Sequence, residues 1–138
     1  MSAPLSPVLA LRAAMAAALA TDAALLALLS GARIYDVPPK DAAFPFVALG
    51  EAVMADWSTG TERGAEQALT LHAFSRSGGR AEAFALAHAL AEALTDAPLA
   101  LTGHRLVNLR ATSSEVRREP DGLTFHALVR LRAVTEPL

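Results

Sequence analysis

The 138-residue sequence has no cysteine. That excludes disulfides, thiolate nucleophiles and cysteine-ligated zinc or iron–sulfur centres, and it leaves the compartment open. Lysine is almost missing too: Lys40 stands alone, and the remaining positive charge is arginine. A net charge of −2 offers no global attraction for nucleic acid or an anionic membrane. No uncharged run reaches the ~18 residues of a membrane-spanning helix, because Arg12 and Asp22 interrupt "ALRAAMAAALATDAALLALL". A signal peptide is not expected either. No basic side chain precedes Arg12, and Pro4 and Pro7 fall ahead of the apolar run.

The signatures of common chemistries are also missing. HExxH, GxxxxGK[ST] and GxSxG do not occur. The four histidines, His72, His88, His104 and His126, show no ligand spacing and read as structural. "STGTERG" and "SRSGGRAE" hold glycine-rich turns of the kind that bind anions before helices, but the second is equally the turn a strand needs before a helix. No carboxylate pair is marked out. Glu115 and Glu119 flank Arg117 and Arg118, a pattern of solvated cross-strand ion pairs worth little each.

What is present is a large apolar fraction, 53%, in a chain of one-domain length. Charge is uneven along it. Through residue 75 there are four Lys/Arg against seven acids, and from Arg76 on there are eight arginines against seven acids. Ser6-Pro7 predicts a helix start: serine supplies a capping oxygen, and proline is tolerated where no amide donor is needed. Val8, Leu11, Met15, Ala18 and Leu19 then recur on one stripe. The other face is Ala10, Ala13, Ala16, Ala17 and Ala20. Two readings of that face stand open: alanine as the best helix former, or small side chains that let another backbone come close. Thr21 or Asp22 caps a second short helix through Leu25, Leu26, Leu28 and Leu29, which Gly31 ends.

"RIYDV" predicts a short strand, "PPKDAAFP" a loop, and "FVALGEAVMA" a second strand. "EQALTLHAFS" predicts a third, with Leu69, Leu71 and Ala73 on one face and Thr70, His72 and Phe74 on the other, wetter one. The polar stretch "DWSTGTERGAEQ" between them is a long hairpin connection carrying the only tryptophan. "RAEAFALAHALAEALTD" predicts a helix with Ala83, Phe84, Ala87, Leu90, Ala91 and Leu94 inward, stopped at Asp96-Ala97-Pro98. "HRLVNLRATSSEVRR" turns through "EPDG" into a last strand. There Leu123, Phe125, Ala127, Val129, Leu131 and Ala133 alternate with Thr124, His126, Leu128, Arg130 and Arg132. With Phe125 inward and acids among the arginines, this is a poor RNA-binding sheet. The expected fold is α+β: one domain over residues 1–138, helices on one side of a mostly antiparallel sheet.

The ordered set formed by "RIYDVPPKDAAFPFVALGEA", the "DWSTGTERGAEQALTLHAFSRSGGR" stretch with its helix, "PLALTGHRLVNLR" and "GLTFHALVRLRAV" resembles the tail-completion, or tail-terminator, proteins of long-tailed phages. It is most similar to the versions encoded in gene transfer agents. The resemblance covers nearly the whole chain and implies a sheet flanked by helices, no enzyme activity and no cofactor. It implies a ring, usually of six copies, that caps the head-proximal end of the tail tube and offers a surface to the head connector. It implies further that DNA passes through the channel of that ring and that the protein resides in the particle. Asp56, Trp57, Ser58, Thr59 and Arg63 are then candidates for a docking loop, with Trp57 folding back onto its own hairpin as the alternative. Arg130 and Arg132 mark a candidate subunit contact. Trp and Arg are the residues most enriched at interface hot spots. Another connector of the same neck, or a small-ligand-binding α+β domain, are the rival expectations.

Overall fold

The computed structural model describes residues 6–56, 58, 60 and 63–138. Trp57 and Thr59 lie outside the described residues. The helices start as the sequence dictates. In α1 (Pro7–Leu19), Ser6 Oγ accepts from the Leu9 amide at 3.1 Å, and Pro7 opens the first turn. For α2 (Ala23–Leu29), Asp22 is the cap, accepting from the Leu25 amide at 2.9 Å. Ser30 at φ 58° and Gly31 at φ 138° end it in the left-handed region. No single helix among the described residues is long and apolar enough to cross a membrane.

Five strands form one sheet in the order β1-β2-β3-β5-β4. They are β1 (Ile34–Tyr35), β2 (Phe46–Asp56), β3 (Ala65–Ser75), β4 (His104–Arg118) and β5 (Phe125–Pro137). β2–β3, β3–β5 and β4–β5 are antiparallel, and the two-residue β1 pairs with β2 in parallel. "RIYDV" thus gives a strand shorter than its five residues. α3 (Ala81–Leu94) crosses from β3 to β4. All three helices and the inward side chains of the sheet share one core, so the sheet is backed on one face and open on the other.

Three side chains depart from the periodic reading. Phe84 is 56% exposed. The buried stripe of α3 runs through Ala83, Leu86, Ala87, Leu90 and Leu94, and it turns Phe84 away from the sheet. Ala10, expected on the alanine back of α1, is 2% exposed and belongs to the core. Only Ala13, Ala17 and Ala20 of that face are open to solvent. Leu123 is 63% exposed, because the turn closes after it: the Glu119 amide donates to the Thr124 carbonyl at 2.8 Å. Asp121 braces this turn, accepting from the Leu123 and Thr124 amides at 2.8 Å each. Phe125, Val129 and Leu131 are buried as their alternation predicts, each contributing about 1.5–3 kcal/mol before entropy. Leu128 and Val134 face the open side yet are buried. β5 lies between β3 and β4, so its outward side chains are flanked on both sides, Leu128 by His72 and Glu115.

Candidate interaction surfaces

Two surfaces carry the residues singled out by sequence. The first is the β2–β3 end of the sheet. β2 runs on to Asp56 and β3 begins at Ala65, so the connection is shorter than the polar stretch that predicts it. Ser58 ties its two ends together. Asp56 Oδ1 accepts from the Ser58 amide at 2.9 Å, and Ser58 Oγ accepts from the Gly64 amide at 3.1 Å across the neck of the loop. The Ser58 hydroxyl and amide hold the Asp56 carboxyl below the usual aspartate range. Asp56 and Ser58 therefore shape the loop rather than wait unpaired for a ligand. Beside them a cleft of about 280 Å³ is lined by Pro7, Met54, Arg63, His104 and Glu136, among others. It joins the start of α1, the loop neck and the end of β5.

The second surface is the open face of the sheet. Arg132 Nε donates to Glu66 Oε1 at 2.7 Å, and Arg130 donates to Glu115 Oε1 at 2.8 Å. Arg117 reaches the same Glu115 oxygen at 3.4 Å. Arg130, ahead of Arg117, holds the Glu115 carboxyl below the ordinary glutamate range. Arg110 is the cross-strand partner of Arg132, so two like charges face each other there. Arg130, Arg132 and Arg117 are each tied to a glutamate, which offsets much of the cationic charge of this face. Arg130 and Arg132 do not join the loop cluster. Glu66, however, is the second residue of β3, so Arg132's partner borders the loop neck.

Sequence reasoning missed one constellation on this face. His72 and His126, both placed on the wetter side by alternation, meet each other, and each meets a glutamate. The signal was available only through register: His72 pairs with Leu128 and Phe74 with His126, so the two imidazoles sit diagonally on adjacent strands. Spacing along the chain, 54 residues, hides it. Among the described residues no group of three or more His, Asp or Glu is arranged to hold a metal.

The open face of the helix-backed sheet thus carries ion pairs from Arg130 and Arg132, and the loop-rimmed cleft lies at one end of the sheet. The chain belongs to the tail completion protein gp17 family, whose profile matches residues 13–136. It is similar, at 35% identity and a TM-score of 0.86, to a chain in the solved structure of the virion of a native gene transfer agent (GTA) particle. The match covers 94% of this chain and 96% of that one. No curated protein matches. The chain is thus a structural protein of the virion tail, not an enzyme.

Proposed function

We propose that this protein caps the head-proximal end of the tail tube, stops its elongation and joins the tail to the head connector. It does so as a closed ring of copies, six by the family resemblance, with DNA passing through the channel. The observation that supports the reading is the match over 94% of the chain to a chain of a virion structure, together with tail-completion family membership. A closed ring needs two different surfaces on each subunit. The open sheet face with Arg130 and Arg132 supplies one. The exposed Ala13, Ala17 and Ala20 of α1 supply the other, being uncharged and small enough for close approach. The loop with Asp56, Trp57, Ser58, Thr59 and Arg63 is assigned to the tube or to a neighbouring subunit, with Trp57 as its anchor.

A particle reconstruction tests this. The expected map shows several copies of the chain closed into a ring between tube and connector, with Arg130 and Arg132 within contact distance of a neighbour. A single isolated copy, or a position away from that junction, refutes the assignment.

A further inference from the structure

A linear chain of four titratable side chains crosses the open face of the sheet. Glu51, on β2, lies with Oε1 3.1 Å from His72 Nε2 on β3. His72 Nδ1 lies 2.6 Å from His126 Nε2 on β5. His126 Nδ1 lies 2.6 Å from Oε1 of Glu119, in the turn after β4. The two ring centroids are 4.9 Å apart. That exceeds the nitrogen–nitrogen distance by two ring radii, so the imidazoles meet edge to edge, in line for a hydrogen bond. The His72 and His126 side chains are 14% and 13% exposed, against 72% for Glu51. Phe74 stacks on His126 with centroids 4.4 Å apart, and Gly50 leaves room for the His72 ring, which lies 2.5 Å from where a Cβ would stand.

Three contacts need three protons. Two carboxylates supply none and two neutral imidazoles supply one each. If each imidazole turns its N–H to its own glutamate, the inner nitrogens face each other as lone pairs at 2.6 Å, which is repulsive. If either tautomer flips, a lone pair faces a carboxylate instead. One additional proton satisfies all three contacts, and a second adds a repulsion without a contact to fill. We propose that Glu51, His72, His126 and Glu119 form a proton-binding site that holds one proton beyond the two carried by its neutral imidazoles. This inference stands independently of the ring reading.

Burial, the leading effect, holds His126 below the ordinary histidine value, and Glu119 opposes it only in part. Its own backbone amide, followed by His72, keeps the Glu51 carboxyl below the glutamate range, so it stays an acceptor. The other charged groups near the site are Arg117, the cross-strand partner of His126 on β4, and Glu115, which draws Arg117 and Arg130 toward itself. Arg117 opposes a second charge on the pair. A doubly charged pair is thus disfavoured, while a pair sharing one proton meets both glutamates. Protons on the two imidazoles are shared, so any proton uptake belongs to the pair and not to either ring alone.

Wherever the folded chain holds the shared proton and the unfolded chain does not, stability rises as pH falls. Once the unfolded chain carries a proton on each imidazole and the folded chain still holds one, the gain is lost again.

Histidine-ring nitrogen NMR on the full chain, followed over pH, reads the site directly. The expected record has the His72 and His126 signals moving together in two steps, an upper and a lower, shared by both rings. Glu51→Gln keeps an acceptor oxygen but removes its charge at an exposed position, so the fold survives and the upper step moves down. Glu119→Gln does the same from the other end. Independent single steps for the two imidazoles, or an upper step that neither glutamine variant shifts, overturn the proposal.

Discussion

Gly50→Ala places the tightest steric demand on the structure. Gly50 sits where the β2–β3 register shifts, between Leu49 and Ala52. A Cβ built there stands 2.5 Å from His72 Cδ2 and Nε2 and 2.6 Å from the Thr70 carbonyl oxygen. The histidine ring can swing aside, though only by leaving Glu51 and His126. The carbonyl cannot, because β3 is hydrogen-bonded on both sides, to β2 and β5. Overpacking of this kind typically costs about 1–3 kcal/mol. A second consequence follows on the helical side. The Gly50 carbonyl accepts from Arg12 at 2.7 Å, and Arg12 also pairs with Asp36, so a shifted strand disturbs the tie between α1 and the sheet. The fitting control is Gly79→Ala, where a new Cβ meets nothing within 4 Å. That change is neutral or slightly stabilising through the unfolded chain, by up to about 1 kcal/mol. Urea unfolding of the two variants beside the parent measures the contrast. Equal midpoints for Gly50→Ala and Gly79→Ala refute the close-approach argument.

Two further outcomes are expected. Asp121, its carboxyl lowered to about 2 first by the Thr124 hydroxyl and then by the Thr124 and Leu123 amides, contributes stability that is full above about pH 4 and lost as pH falls through about 2. An Asp121→Asn chain should lose less stability than the parent over that window in acid-unfolding curves, and parallel curves refute the linkage. Trp57→Ala should leave urea stability nearly unchanged while weakening attachment to tail tubes by about 2 kcal/mol or more, the scale of an aromatic anchor, in a co-sedimentation assay. Attachment at parental strength removes Trp57 from the interface.

Much of the fold was legible because its signals are local and repeated. Ser6-Pro7, the alternation from Phe125 to Ala133 and the Pro120-Asp121-Gly122 turn each name their own structure. The misplacements share a cause. Phe84 and Ala10 were assigned from one helix at a time, whereas α3 buries residues against both the sheet and the other helices, which rotates and widens its buried stripe. The parallel pairing of β1 leaves no mark in a two-residue strand. The histidine–glutamate chain was hidden for a different reason. Its members come from β2, β3, β5 and the turn before β5, and only strand order and register bring them into line.

Electron microscopy of particles made without this gene tests whether the protein terminates the tail tube and joins it to the head. Over-long tubes together with filled heads that lack tails are expected, because an uncapped tube keeps adding subunits and heads find no joining surface. Tails of normal length, firmly attached to heads, would contradict it.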